Sequence, residues 1–274
     1  MVPFDFEPRT RVVFGRGAVQ RVGQLARGLD FHRVFVVADR GLVKAGHVAT
    51  VTASLESDRI EVVPYHDFGE NPDTAMIDAG VRFAAPLRAD SVVALGGGSS
   101  LDCAKGINFV LTNGGSMQDY RGYGKARTPL LPMIGIPTTA GTGSEAQSYA
   151  VISDAATHMK MACGDPSAAV RIALLDPELT MTAPRHVTAM AGFDAIAHAV
   201  ETAVTRKRNR LSLMHSHEAF KLTVTSLEQV LSHPLDLAAR GRMLLGAAFA
   251  GLAIENSMLG AAHSAANPLT AHYG

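Results

Sequence analysis

Val34-Phe35-Val36-Val37-Ala38 is an unbroken apolar run, and Ser91-Val92-Val93-Ala94-Leu95 and Met133-Ile134-Gly135-Ile136 resemble it. A strand with one wet face alternates apolar and polar residues, so runs of this kind are expected where a strand is buried on both faces. Helix-length segments lie between and around them: Gly41 to Ser57, Asp73 to Ala84 and Leu101 to Leu111. Asp73 follows Asn71-Pro72 and is a suitable helix start. Such β-α alternation predicts a parallel, doubly wound sheet. Thr10 to Phe14 and Ala150 to Asp154 are candidate extra strands, the second pairing with Met159 to Ala162 as a hairpin.

From Pro184 onward the strand signals stop. Val187 to Val204, Leu211 to Leu231 and Leu237 to Leu259 read as helices. The last is rich in Gly and Ala, which permits close helix contact. The expected organisation is a Rossmann-like α/β domain over residues 1–180, followed by an all-helical domain over residues 181–274. With 47% hydrophobic residues the chain can build a sizeable core.

Lys+Arg and Asp+Glu both number 25, and this balance argues against an electrostatic binder of nucleic acid or membrane surfaces. The one basic run, Arg206-Lys207-Arg208-Asn209-Arg210, reads as a solvated helix end or loop. Met243 to Ile254 is too short to span a bilayer and reads as a buried helix. Cys103 and Cys163 have no CxxC spacing, and the acidic N-terminus has no apolar core of signal length. Both features fit a cytoplasmic protein with reduced thiols.

Gly96-Gly97-Gly98-Ser99-Ser100-Leu101-Asp102 follows a strand and opens a helix. Glycines let the backbone approach a phosphate, and a helix N-terminus offers free N–H groups. The turn either cradles a phosphate or is simply a tight strand-to-helix connection. A second polar loop, Pro137-Thr138-Thr139-Ala140-Gly141-Thr142-Gly143-Ser144-Glu145, follows the next strand. Both belong at the carboxyl ends of strands, where open α/β sheets bind ligands. Asp39 ends the first run, where a carboxylate either accepts from a ribose hydroxyl, favouring NAD over NADP, or caps a helix.

In Gly192-Phe193-Asp194-Ala195-Ile196-Ala197-His198-Ala199-Val200-Glu201, a carboxylate and an imidazole stand four residues apart in a helical run. They share a helix face and would grip one cation together. His263 lies in a second small-residue segment and is a candidate third ligand. Two imidazoles and a carboxylate suit Fe²⁺ or Zn²⁺, either of which would lower the pKa of an alcohol oxygen. Glu201 either orients His198 or forms a helix-face salt bridge. His32, His47, His158, His215, His217 and His233 read as surface residues.

These elements resemble the iron-containing (group III) alcohol dehydrogenases. The match runs in family order through Gly96-Gly97-Gly98-Ser99, Pro137 to Glu145, Leu175-Asp176-Pro177-Glu178-Leu179-Thr180, Gly192 to Glu201, and His263. The resemblance implies an N-terminal α/β nucleotide domain and a C-terminal helical domain with NAD(H) and a divalent metal between them. Carried over by position, Asp39, Asn71, Gly97, Gly98, Ser99, Asp102, Thr138, Thr139, Thr142 and Lys160 would contact the dinucleotide. Asp194, His198 and His263 would ligate Fe²⁺, or Zn²⁺. The implied activity is NAD(P)-linked interconversion of a small alcohol and its aldehyde by a cytoplasmic homodimer. A metal-free reductase like the maleylacetate reductases and a catalytically incomplete dinucleotide-binding fragment are the alternatives.

Two departures follow from the resemblance. Where many members carry a second histidine one turn beyond the third ligand, this chain has Asn267, and an amide does not exchange a proton near neutral pH. His272 is a candidate substitute. The family's fourth ligand, a histidine, is expected roughly fourteen residues after His263, whereas Gly274 ends the sequence. A chain of this extent is therefore expected to lack that ligand and part of the helical domain.

Overall fold

The computed structural model describes residues 3–273, with side chains described to residue 269. The chain forms β1 (Arg11–Phe14), α1 (Val22–Arg27), β2 (Arg33–Ala38), α2 (Arg40–Lys44), α3 (His47–Ser57), β3 (Glu61–Tyr65) and α4 (Thr74–Ala84). It continues with β4 (Ser91–Gly96), α5 (Gly98–Asn113), β5 (Gly122–Tyr123), β6 (Met133–Pro137), β7 (Tyr149–Ser153), β8 (Lys160–Gly164) and β9 (Ile172–Leu175). Helices α6 (Arg185–Val204), α7 (Arg210–Val224), α8 (Leu227–Ser232), α9 (Leu237–Ser257) and α10 (Ala261–Tyr273) follow. The expected division at 180/181 falls in the 3-10 turn Pro177–Thr182 that separates sheet from helices.

Six strands make one parallel sheet in the order β1-β9-β6-β4-β2-β3. The side-chain period of two splits each apolar run between two cores. Phe35, Val37, Val92 and Ala94 pack with Ile77, Leu101 and Ile107 from α4 and α5. Val34, Val36, Val93 and Leu95 pack with Val22, Leu25, Val51 and Leu55 from α1 and α3. All six residues of β4 are buried, as an unbroken apolar run at the centre of a covered sheet requires. The expected hairpin also forms: β7 and β8 pair antiparallel, with β5 alongside in a separate sheet.

The register sets Ala38 opposite Leu95, and Leu95 opposite Ile136. The carboxyl ends of β2, β4 and β6 therefore lie side by side. Since β3 lies beyond β2 on one side and β6 beyond β4 on the other, the winding reverses between β2 and β4. That crevice is where open α/β sheets take ligands.

Several elements differ from expectation. The segment Gly41 to Ser57 is two helices, because Gly46 takes φ 83° and breaks the run before α3. The segment Leu211 to Leu231 also breaks, at Thr225 and Ser226, into α7 and α8. Strand β3 escapes the apolar-run criterion because it is a half-exposed edge strand containing Pro64. His47 is buried, its Nε2 lying 2.7 Å from Thr182 Oγ1, and His215 is half-buried with its ring 5.9 Å from that of Phe249. Helix α9 is the one described helix long and apolar enough to cross a membrane, yet 67% of its most apolar window is buried inside the fold. Its small residues pack against α6 and α7, as core helices do.

Candidate nucleotide and metal site

Helix α5 begins in the glycine turn itself, with Gly97 as its N-cap and no side chain capping it. A sixteen-residue helix thus presents its positive end at the sheet's crevice. The threonine loop closes over this turn. The Thr138 N–H donates to the Gly96 carbonyl (3.0 Å). A Cβ on Gly97 would stand 3.2 Å from Thr139 Oγ1, and one on Gly98 would collide with Thr142 at 2.6 Å. Only glycine leaves the backbone open between these hydroxyls. Asn71 joins from a third side, its N–H donating to Ser99 Oγ (3.2 Å). Gly97, Gly98, Ser99, Thr138, Thr139, Thr142 and Asn71 are thus brought together, in surroundings that suit a dinucleotide's phosphates.

Asp39 performs the capping half of its two readings. Its Oδ1 accepts from the N–H groups of Gly41 (2.8 Å) and Leu42 (3.1 Å), and its Oδ2 accepts from Ser100 Oγ (3.4 Å). The residue stays half-buried at the end of β2, beside the glycine turn. Asp102 serves the fold more than the crevice. Its oxygens accept from Ser144 Oγ (2.6 Å) and the Val151 N–H (3.2 Å). Burial pushes its carboxyl above the usual range, against the pull of Lys105 and those hydrogen bonds.

Lys105 has no counterpart among the residues singled out from sequence. It is fully buried, and its Nζ donates to Ser144 O (2.6 Å), Ser144 Oγ (3.1 Å), Gln147 O (2.7 Å) and Tyr149 O (2.9 Å). It pins the exit of the threonine loop to α5. The apolar spacing around it was the only signal available, since a lysine within a helix ordinarily reads as solvated. Glu145, in the same loop, is fully buried and pushed up to about 7 by desolvation.

The helical half contributes the second cluster. Asp194 and His198 lie on one face of α6, and α10 brings His263 against them. The Nε2 atoms of His198 and His263 are 3.0 Å apart, and Asp194 Oδ1 lies 3.3 Å from each. A tetrahedral ion with bonds of about 2.0–2.1 Å spaces its ligand atoms roughly 3.3 Å apart. The three donor atoms thus already stand at the separation one ion requires, and His/His/carboxylate chemistry suits Fe²⁺ or Zn²⁺. His198 Nδ1 is buried without a well-formed hydrogen bond, although the Gly141 backbone favours its protonation.

Charge is arranged around this triangle. Burial opposes ionisation of Asp194, but the His263 hydrogen bond and the His198, His263 and Lys160 charges outweigh it and hold the carboxyl below its usual range. Burial lowers His198. The Asp194 hydrogen bond, with Glu201 behind it, raises His263 against the effect of burial. Lys160 is half-buried at the start of β8, and its charge acts on both Asp102 and Asp194. It stands on the β7–β8 hairpin, paired with Ser153. Glu201 bonds to His263, not to His198 as the helix spacing suggested: its Oε2 lies 2.5 Å from His263 Nδ1. Asn267 is exposed on α10, and the side chain of His272 lies outside the described residues. An open apolar groove of about 530 Å³ borders the triangle, lined by Met190, Phe193, Ala197 and Ala266 beside Asp194 and His263.

The threonine loop joins the two halves. Gly141 packs on Ala191 of α6, where a Cβ would come within 2.8 Å of the Ala191 Cβ. Gly143, at φ 63°, lies directly on Gly251 of α9, where a Cβ would meet the Gly251 Cα at 2.7 Å.

A crevice at the carboxyl ends of a parallel sheet, with an Asp/His/His cluster on the helices behind it, defines a class of two-part proteins, α/β then helical. Within it, the family model described as iron-containing alcohol dehydrogenase matches residues 8–177. The C-terminal model of the same family matches residues 188–274. The chain belongs to the iron-containing alcohol dehydrogenase family. It is 34% identical over 262 residues to alcohol dehydrogenase 4 of Schizosaccharomyces pombe, covering 96% of this chain and 62% of the relative. It is 34% identical over 252 residues to the NAD-dependent methanol dehydrogenase of Bacillus methanolicus, covering 92% and 66%. A crystal structure of 1,3-propanediol oxidoreductase superposes with a TM-score of 0.95 at 30% identity, over 99% of this chain and 71% of that one. The chain spans less than two thirds of the length of these two curated relatives.

Proposed function

We propose that this chain carries the dinucleotide site and three metal ligands of an NAD-dependent alcohol dehydrogenase acting on a small alcohol or aldehyde. The convergence of Asp194, His198 and His263 to 3.0–3.3 Å carries the reading. When bound, a divalent ion polarises the substrate oxygen and the nicotinamide carries the hydride. Fe²⁺ is the expected ion, and the donor set also accepts Zn²⁺.

The chain's own residues divide the remaining work. The α5 N-terminus, Ser99 and the threonine hydroxyls would hold the phosphates. Asp39, at the end of β2, would accept from the ribose and repel a 2′-phosphate, which favours NAD. The name of the methanol dehydrogenase relative, NAD-dependent, supports the same choice. Lys160 would hold the dinucleotide between the two clusters. The Met190–Phe193 groove would take the substrate's carbon chain and exclude water from one side. Asn267 exchanges no proton, so protons would leave through water.

The test is metal analysis of anaerobically purified protein together with aldehyde-dependent NADH oxidation. Near-stoichiometric iron or zinc, with turnover that a chelator abolishes, is the expected result. Asp194→Ala and His198→Ala should abolish turnover and metal binding while leaving NADH binding intact. Full turnover after metal stripping would sink the metal reading in favour of a metal-free reductase. NADH binding without metal or turnover would support the alternative reading, a catalytically incomplete dinucleotide-binding fragment.

A further inference from the structure

Helix α10 rests lightly on the rest of the protein. Residues 261–269 are exposed except for half-buried His263. The backbone of its first turn is held by one side chain of α6. Glu201 Oε1 accepts from the backbone N–H groups of Ala262 (2.5 Å) and His263 (3.2 Å), while Oε2 meets His263 Nδ1. Glu201 itself is 7% exposed.

The two oxygens serve different ends. Oε1 satisfies N–H groups that a helix start leaves without intrahelical partners. Oε2 fixes a tautomer: an ionised carboxylate only accepts, so the proton of a neutral His263 must sit on Nδ1. Its Nε2 then turns a lone pair towards Asp194 and His198. We infer that Glu201 is the positioning residue that docks α10 and makes His263 a metal ligand. This rests on the metal reading of the cluster given above.

Glu201→Gln separates the two ends. With its amide oxygen on the α10 N–H groups, its NH₂ donates to Nδ1 and drives the ring proton onto Nε2, where it blocks ligation. Flipped, the NH₂ faces two N–H donors and the cap fails. Glu201→Ala supplies neither oxygen.

The experiment titrates metal-stripped wild type, Glu201→Gln and Glu201→Ala with cobalt(II), reading its visible absorption and a competing chelator. Amide hydrogen exchange over residues 261–269 is measured without metal, and NADH binding reports on the nucleotide half. Both variants should bind cobalt roughly 10- to 100-fold more weakly than wild type. Glu201→Ala should also speed exchange in the first turn of α10, and NADH binding should be unchanged. Cobalt affinities within twofold of a wild type that does bind would overturn this inference and leave the metal reading standing. A wild type that binds NADH but no cobalt would overturn both. Loss of NADH binding along with cobalt would overturn the local role, because the damage would then reach beyond α10.

Discussion

The buried lysine of the sheet half and the Asp/His cluster of the helical half are satisfied in opposite ways. In the sheet half, Lys105 lies at 0% exposure with four backbone and hydroxyl acceptors, and it answers a fold requirement. In the helical half, Asp194, His198, His263 and Glu201 answer mainly to one another across two helices. The first arrangement is closed. The second brings three donor atoms to within 3.3 Å without filling the space between them with protein. The apolar surface divides along the same line. Every residue of β4 is buried, whereas α6 leaves Met190, Phe193 and Val204 more than 60% exposed. A site needs both kinds of region: one that resists change and one that keeps its chemistry accessible.

The largest expected effect tests the closed half. Lys105→Met removes the donor from four acceptors and should destabilise the protein by about 3–5 kcal/mol in urea unfolding. A loss below about 1 kcal/mol would mean the sheet half is not held by this lysine and the contrast would collapse.

Glu145→Gln probes the same half through pH. The Glu145 carboxyl is pushed up to about 7 from 4.5 by burial. Its folded pKa is raised, so its neutral form is the one the fold favours. The protein is unpenalised below about pH 4.5 and loses stability as pH rises through about 7. The variant should therefore gain up to about 3 kcal/mol on wild type at pH 8, a gain that vanishes towards pH 4.5. A stability difference that stays flat from pH 5 to pH 8 would show that Glu145 ionises without cost.

Gly251→Ala tests the junction. Its Cβ would run into the Gly143 carbonyl, and overpacking of this kind costs about 1–3 kcal/mol. Hydrogen exchange should rise in the threonine loop and in α9 but not in β2. Exchange unchanged in the loop would show that the two halves are not joined there.

The smallest effect belongs to Asp39→Ala. Loss of the α2 cap should cost about 1 kcal/mol. Binding measurements should also show NADPH gaining on NADH. An unchanged coenzyme ratio would leave Asp39 a helix cap only.

Much of the sheet half was legible because burial on both faces writes itself as an unbroken apolar run. The runs of β2, β4 and β6 are of that kind, and they fix the crevice that holds Asp39, the glycine turn and the threonine loop. Strand β3 was not legible, since a half-exposed edge containing Pro64 lacks that signature. Asp194 and His198 were legible because one helical turn enforces their proximity. Their approach to His263, 65 residues beyond His198, is tertiary: the sequence offered His263 as a candidate third ligand, but no spacing rule brings it to the other two. The same distance hid Glu201's true partner. Lys105 was missed and His47 misjudged for a shared reason. Side-chain type predicts solvation only on average, and each lies where specific hydrogen-bond partners replace water.

Gly143 on Gly251 has a mechanical meaning as well. A shear between packed elements proceeds by side chains exchanging rotamers, and a seam of main chain on main chain has none to exchange. The nucleotide loop and α9 are thus clutched together rather than lubricated. Any relative motion of the two halves would carry the loop and α9 together as a single lever.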